Sequence, residues 1–322
     1  MARTDRILGD IDKSMKGLEI APWFAPLVPK AKGYNVRILD IFDRDTLIAR
    51  ASADPILAKR DMARVEVVDY VGSATEISAI IPTQDHGTFD YIVSSHNFEH
   101  LPNPIKFLQG CATILKPGGI LPMAVPDRRG CFDYFRPNTQ LGDWLDAYIT
   151  DRKRPTDRQV FDLKSLTTIV RHGPGEIVNY HVGADRRKIE IAGDLADDYR
   201  AHYVGQLTDD YHDTHCTVMS PASLELLLTE TRQLGLVNYQ IEQVVSRVSL
   251  EFTIRLRFDQ STPALTDSAF AAKRLVMCNA VLQDYRLQVL RLPFWRRRWL
   301  KSNRAVRAIR GFGRKLRGKP DL

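Results

Sequence analysis

The segment FDYIVSSHNFEHLPNPIKFLQGCATILKPGGILPMAV, residues 89–125, contains the pattern that decides the fold. Phe89–Ser94 is a short apolar run typical of a buried strand, and Gly119–Val125 is a second one. Between them, Pro104–Leu115 has the apolar spacing of a helix, which Pro117–Gly119 ends. A strand, a helix and a strand in this order predict two parallel strands joined by a crossover helix.

The residues before this segment show the same alternation. Strand patterns occur at Leu18–Ile20, Asn35–Asp40 and Val65–Val71, and helical patterns occur at Arg44–Lys59 and Thr75–Ile80. Short strands that alternate with helices predict an α/β fold, in which helices cover both faces of a mostly parallel sheet.

The pattern changes toward the C-terminus. Ser223–Leu234 has helical spacing and stops before Gly235. The stretches 237–245 and 250–258 then alternate apolar and polar residues, with a short link between them. We predict that they form a C-terminal antiparallel hairpin on a Rossmann-like sheet, a more specific topology than that of dinucleotide-dependent dehydrogenases in general.

These elements divide the chain into a domain, an insertion within it and a C-terminal extension. Residues 1–258 are predicted to form one domain around the sheet. Within them, residues 127–215 separate the fifth strand from the sixth and are predicted to be an inserted cap over the acceptor pocket. Residues 259–322 predict a helical extension with a basic amphipathic tail.

The composition is that of an ordinary globular protein, with 44% hydrophobic and 26% charged residues. The four cysteines lie far apart, which argues against a disulfide framework and against a cysteine-based zinc site. The N-terminus lacks the pattern of a signal peptide, and no apolar run is long enough to span a bilayer. The sequence therefore predicts a cytoplasmic protein.

The formal net charge of +7 comes from the tail. Residues 291–322 hold twelve Lys and Arg against one acid, so the rest of the chain is mildly acidic. Trp295 and Trp299 fall near one face of a helix rich in arginine, which predicts peripheral binding to an anionic membrane surface at the inner face of the membrane. A plain solvated tail stays open as an alternative, and nucleic acid is the least favoured partner. The oligomeric state is not predicted.

Residues suited to a nucleoside ligand stand where strands end. An open parallel sheet binds such ligands at the carboxyl ends of its central strands. Glu19 and Ala21 end the first strand pattern, Asp40 ends the second and Ser94–His96 end the fourth. A carboxylate such as Asp40 can accept hydrogen bonds from both ribose hydroxyls, although a capping role is its competing interpretation.

At this point the chain resembles a known family. Leu18–Ile20, Phe89–Ser94, Glu99–Leu101 and Leu115–Leu121 are similar, in order and spacing, to motifs of the class I S-adenosylmethionine-dependent methyltransferases. Pro29–Val36, Val125–Asp127 and Cys131–Pro137 resemble a bacterial subgroup associated with glycosyltransferases and surface polysaccharide synthesis. The resemblance covers roughly residues 15–258.

The resemblance implies S-adenosylmethionine as the cofactor and assigns residues to it. Ala21 stands where the family usually has glycine, so its Cβ is expected to crowd the carboxylate end of the cofactor. His96 is expected to point toward the transferred methyl group, with packing as an alternative role. The residues predicted to bind the cofactor are Glu19, Ala21, Asp40, Gly72, Ser73, Ser94, Ser95 and His96.

A proton acceptor is predicted near residue 215. Methyl transfer to oxygen requires removal of the acceptor's proton, and a histidine held by an aspartate suits that role. We predict His215 paired with Asp213 as the general base, with His212 second and a solvated loop as the alternative. The sequence predicts no metal site, although histidines and aspartates alternate here. Glu99 and His100 are interpreted as a structural network.

The predicted function is thus methyl transfer to an oxygen of a small-molecule or saccharide-like acceptor. Two alternatives stay open. One is a catalytically silent binding module with the same fold, which Ala21 motivates. The other is an RNA methyltransferase that uses the basic tail to hold phosphates.

Overall fold

The structure is a computed structural model, and it describes residues 3–173, 176–178, 189–201, 213–246 and 250–290. The strands in chain order are β1 (Gly17–Ile20), β2 (Val36–Asp40), β3 (Tyr70–Val71), β4 (Phe89–Ser95), β5 (Leu115–Pro126), β6 (Thr168–Gly173), β7 (Glu176–Val178), β8 (Ile189–Ile191), β9 (Tyr239–Val245) and β10 (Glu251–Phe258). The larger sheet has the order β3-β2-β1-β4-β5-β10-β9. Strands β1 to β5 are parallel, and β10 is antiparallel to both β5 and β9. The predicted α/β fold with its C-terminal antiparallel hairpin is confirmed.

The α-helices among the described residues flank this sheet. They are α1 (Arg3–Leu8), α2 (Arg44–Ala53), α3 (Ile77–Ile80), α4 (Pro104–Ile114), α5 (Leu141–Ile149), α6 (Asp157–Leu166), α7 (Leu195–Tyr199), α8 (Pro221–Gln233) and α9 (Asp267–Leu290). Helix α4 begins where the Asn103 side chain accepts a hydrogen bond from the Lys106 amide, with Pro104 in the first turn. The buried face of α4 fixes the position of the crossover between β4 and β5.

Strand β3 is much shorter than the predicted Val65–Val71. Residues 62–64 form a 3-10 turn just before the predicted stretch, and only Tyr70–Val71 pair as a strand. The Asp69 carboxylate also accepts a hydrogen bond from the Ile38 amide at 2.8 Å, so a side chain takes a place that a strand carbonyl would occupy. Lys30 and Arg37 hold that carboxylate in place.

Helix α2 also ends earlier than predicted, at Ala53 rather than Lys59. Residue Asp54 precedes a proline, which disfavours helical backbone at that position. The Asp54 carboxylate then accepts hydrogen bonds from the amides of Ile56 and Leu57 and starts a separate turn.

Helix α1 was missed by the sequence analysis, because six residues carry too little periodicity to identify. Its Ile7 and Leu8 are buried against the sheet. Arg3 donates hydrogen bonds to Glu251 on β10 and to Ser95 at the end of β4. The helix therefore joins the carboxyl end of β4 to the amino end of the antiparallel strand β10.

The hydrophobic core lies on both faces of the central strands. One face packs against α4 and α8, and its fully buried side chains include Leu18, Ile92 and Phe107. The opposite face is smaller and includes Val93 and α1. Burial at this scale is the main stabilising contribution to the fold, at roughly 25 cal/mol per Å² of apolar surface.

The insertion between β5 and β10 contributes several described elements, among them α5, α6 and a small antiparallel sheet of order β7-β6-β8. It docks through Trp144, which is fully buried and donates its indole N–H to Thr217. Arg129 forms an ion pair with Asp284 at 2.6 Å and so ties the insertion to α9. The proposed domain boundaries remain predictions.

None of the helices in the described ranges is long and apolar enough to cross a membrane. The tail, residues 291–322, on which the membrane prediction falls, lies outside the described residues, as does most of the link between β9 and β10.

Candidate active site

The first strand end is organised by a buried acid. Glu19 is 2% exposed, and its two carboxylate oxygens accept hydrogen bonds from the amides of Leu27 at 2.7 Å and Val28 at 3.2 Å. Burial raises the pKa of Glu19 to about 7, against the opposing effect of these two amides. Glu19 thus shapes the loop from residue 21 to residue 28.

Two residues of that loop have left-handed backbone. Ala21 has φ +47° and Trp23 has φ +42°. Glycine adopts this conformation freely, whereas an L-residue is disfavoured by about 1–2 kcal/mol. The loop therefore keeps the backbone that a glycine at position 21 would provide, although alanine occupies it.

Asp40 ends β2 with its carboxylate at the sheet edge. It is 4% exposed, and its Oδ1 accepts a hydrogen bond from the Phe42 amide at 3.3 Å. Burial raises the pKa of Asp40 to about 6, more than the Phe42 and Ile41 amides lower it. Asp40 makes no ion pair with any described residue, so its carboxylate remains available to neutral donors.

Apolar surface surrounds this acid. The side chains of Ile41 and Val71 are 42% and 52% exposed at the ends of β2 and β3. Gly72 follows with φ +149°, and its amide donates to the Asp40 carbonyl at 2.8 Å. Ser73 caps the next turn, where its hydroxyl accepts from the Thr75 amide. The predicted residues Asp40, Gly72 and Ser73 are thus brought together beside an exposed apolar rim.

The end of β4 presents the remaining predicted cofactor residues. Ser94 is buried and accepts a hydrogen bond from Asn97, and Ser95 accepts one from Arg3. His96 has φ +51°, and its Nε2 lies 2.8 Å from the Glu251 carboxylate. Burial lowers the pKa of His96, but Glu251 and Glu99 outweigh it and raise that pKa to about 9.

The predicted pairing of His215 with Asp213 is wrong. The Nδ1 atom of His215 lies 2.5 Å from Asp133, whereas Asp213 lies 2.8 Å from the Nδ1 atom of His100. His215 is 5% exposed, so it is a poor candidate for direct contact with an acceptor. His212, the second candidate base, lies outside the described residues.

Asp133 is the functional candidate that the sequence analysis missed. It is buried, and its other oxygen forms an ion pair with Arg136 at 2.6 Å. Burial raises its pKa, but His215 and Arg136 outweigh burial and lower it to about 2. Asp133 stands 82 positions before His215, so no local spacing signals the pair. The only available signal is that it belongs to the quoted Cys131–Pro137 motif.

Glu99 lies beside the histidines near the end of β4. The 3-10 turn Phe98–His100 follows β4, and the Glu99 side chain is 1% exposed. Its carbonyl accepts hydrogen bonds from the amides of Cys216 and Thr217, which brings His215 alongside. The histidines lower the pKa of Glu99, although burial alone would raise it.

The carboxyl ends of β1, β2 and β3 fit an adenosyl ligand. Asp40 offers a carboxylate to a ribose diol, and Ile41 and Val71 offer exposed apolar surface to an adenine ring. In the loop after β1, the indole N–H of Trp23 is buried and has no partner among the described residues. An unpaired buried donor is costly, and an anionic group of a ligand would satisfy it.

The first half of the chain matches a family of known proteins. Residues 2–172, more than half of the chain, match the sequence model of a family described as a methyltransferase domain. The chain belongs to this methyltransferase family. S-adenosylmethionine is accordingly the cofactor that family and fold indicate, and the residues at the ends of β1, β2 and β3 are those that would hold it.

Curated relatives of this methyltransferase match over shorter stretches. A ubiquinone biosynthesis O-methyltransferase of Actinobacillus pleuropneumoniae serotype 7 (strain AP76) is 29% identical over 89 residues, 28% of this chain and 35% of the relative. One of Xanthomonas campestris pv. campestris (strain B100) is 37% identical over 62 residues, 19% of this chain and 24% of the relative. The chain thus spans about a third or less of the length of these relatives.

Among solved structures, a SAM-dependent methyltransferase of Methanosarcina mazei superposes with a TM-score of 0.38 and 16% identity, over 79% of this chain and 96% of that one. The match over residues 2–172, and not this superposition, shows the family of the chain.

Proposed function

We propose that this methyltransferase transfers a methyl group from S-adenosylmethionine to an oxygen of a small-molecule or saccharide-like acceptor. The observation that carries the proposal is the set of histidines with carboxylate partners at the end of β4, next to the cofactor edge. Bound S-adenosylmethionine supplies a methyl group that is already activated on a sulfonium. The protein must then position the acceptor and take up its proton.

Different residues of the chain bind the cofactor and position the acceptor. Asp40 and the apolar rim bind the nucleoside part, and Glu19 orders the loop that faces the methionine part. Of the histidines with carboxylate partners, His96 and His100 are partly exposed, at 37% and 26% of their side chains, and they line the side where an acceptor enters. Because the pKa of His96 is raised to about 9, His96 is already protonated near neutral pH and orients the acceptor rather than taking its proton. The names of the curated O-methyltransferase relatives support oxygen as the acceptor atom. A saccharide acceptor rests on the resemblance to the polysaccharide-associated subgroup.

Methyl transfer from labelled S-adenosylmethionine tests this proposal. The full chain is incubated with a phenolic acceptor, a saccharide acceptor or RNA, and Asp40→Asn serves as the cofactor-deficient control. We expect label on an oxygen of a small acceptor, and much less label in the control when the cofactor is kept below saturation. Label on RNA alone would favour the RNA methyltransferase instead. Absence of calorimetric binding of S-adenosylhomocysteine to the wild-type chain, together with absence of transfer, would favour the silent module.

A further inference from the structure

Three potential metal ligands converge behind the end of β4. Glu99 and His100 belong to the 3-10 turn Phe98–His100, and His215 comes from the far end of the insertion. One ligand atom from each of these residues lies within 4.8 Å of the other two. The imidazole rings of His100 and His215 meet edge to face at 4.8 Å between centroids.

The Glu99 carboxylate is unsatisfied in a way that points to a bound cation. Both of its oxygens are buried, and neither receives a hydrogen bond of normal geometry from the described residues. The nearest side-chain nitrogens are His96 Nδ1 at 3.4 Å and His100 Nε2 at 3.7 Å, both from Oε1. Histidines therefore lie near this buried carboxylate without giving it a close hydrogen bond, and a cation bound between them would satisfy its oxygens.

Both histidines are oriented as metal ligands usually are. His100 directs Nδ1 toward Asp213, and His215 directs Nδ1 toward Asp133. A carboxylate on one ring nitrogen fixes the tautomer and leaves the other nitrogen to bind a metal. His100 thus keeps Nε2, which lies 3.7 Å from Glu99 Oε1, for the space beside Glu99, and His215 keeps a second ring nitrogen that Asp133 does not contact. Asp133 is itself fixed by Arg136, which makes the support for His215 rigid.

We propose that Glu99, His100 and His215 bind a divalent transition-metal cation of the Zn²⁺ class. Two imidazoles and one carboxylate favour such an ion over Mg²⁺ or Ca²⁺, which prefer oxygen ligands throughout. Three protein ligands leave coordination positions open, as catalytic metal sites do, and an acceptor oxygen or a water can fill them. Ligands about 2.0–2.2 Å from one ion lie about 3.4 Å apart in tetrahedral geometry, so the present atoms, within 4.8 Å of one another, close by up to about 1.4 Å when the ion binds.

Metal binding to the full chain without S-adenosylmethionine tests this inference, so its outcome does not depend on the proposed methyl transfer. The chain is stripped with a chelator and titrated calorimetrically with Zn²⁺ and, separately, with Mg²⁺. We expect one saturable Zn²⁺ site and much weaker Mg²⁺ binding. Co²⁺ loaded in place of Zn²⁺ should give visible absorption bands typical of mixed nitrogen and oxygen ligands.

Three variants locate the site. Glu99→Gln should abolish the high-affinity Zn²⁺ site. Asp213→Asn, at a side chain that is 73% exposed, leaves the core intact and should weaken binding by about 10–100-fold, because it removes only the support for His100. His86→Gln is the matched control, since His86 lies elsewhere and contacts the Ile81 carbonyl. The inference is overturned if the wild-type chain shows no saturable Zn²⁺ binding, or if Asp213→Asn binds Zn²⁺ as the wild type does.

Discussion

The two sides of the candidate active site hold their acids in opposite ways. At the ends of β1 and β2, Glu19 and Asp40 are buried with backbone amides as partners, and burial raises the pKa of each. Near the end of β4, Asp133 is buried and Glu251 is partly buried, yet histidine and arginine partners outweigh burial and lower their pKa values to about 2. Burial is therefore common to both sides, and the presence of cationic partners distinguishes them.

This difference indicates what each side can bind. An acid without a cationic partner can accept hydrogen bonds from neutral hydroxyls, and ribose provides two of them. Acids that are already paired with histidine and arginine instead fix the geometry of those side chains. The β1–β2 side thus suits recognition of a neutral part of the cofactor, and the β4 side suits handling of charge on an acceptor.

Removal of a paired acid on the β4 side should have the largest effect, which is on stability. Asp133→Ala leaves Arg136 buried without its partner and releases His215, so we expect the free energy of unfolding to fall by about 3–5 kcal/mol. Urea denaturation followed by circular dichroism measures the change. Asp197→Ala is the control, because Asp197 pairs with Arg200 on the surface, where such a pair contributes about 1 kcal/mol or less. Equal losses for the two variants would contradict the role given to Asp133.

The sequence predicts the two sides unequally well. Glu19 and Asp40 lie at the ends of regular strands, and the order of strand, turn and strand fixes their place in the sheet. The β4 side depends on residues that the chain brings together over long separations, such as Asp133 with His215 and Arg3 with Glu251. Neither pair has a spacing that strand or helix periodicity can reveal.

Local sequence also misled the prediction near residue 215. Asp213 and His215 are two positions apart, which suggested that they form a pair. The backbone instead turns at residues 216 and 217, whose amides bond to the Glu99 carbonyl, and the two side chains diverge to different partners. The short β3 is a similar case, because the Asp69 side chain replaces part of the strand ladder.

An intermediate effect is expected at the unpaired side. Asp40→Asn keeps the shape of the side chain but removes its charge, so affinity for S-adenosylhomocysteine should fall by about 10–100-fold, since hydrogen bonds to charged groups contribute about 1.5–3 kcal/mol. Isothermal titration calorimetry at pH 7.5 measures the change, and circular dichroism verifies that the variant is folded.

The pH dependence sharpens the same test. The ribose hydroxyls donate to the ionised form of Asp40, whose pKa in the free protein is raised to about 6. Affinity should therefore be constant well above pH 6 and fall by up to about tenfold per unit below it. Asp40→Asn should lack this dependence. If the wild-type affinity for S-adenosylhomocysteine does not change between roughly pH 5 and pH 7, Asp40 does not bind the ribose.

The smallest effect is expected at position 21. Ala21 has left-handed backbone, so Ala21→Gly should relieve strain and raise the free energy of unfolding by about 0.5–1 kcal/mol, after the greater freedom of glycine in the unfolded chain is subtracted. Ala25→Gly in the same loop is the matched control. Ala25 is not among the residues with positive φ, so glycine there should destabilise by about 0.4–1 kcal/mol.

Because the backbone already has the glycine conformation, affinity for S-adenosylhomocysteine should change little in Ala21→Gly. Binding that appears only with glycine at position 21 would instead support the silent module and would mean that the alanine Cβ, rather than the backbone, controls access to the cofactor edge.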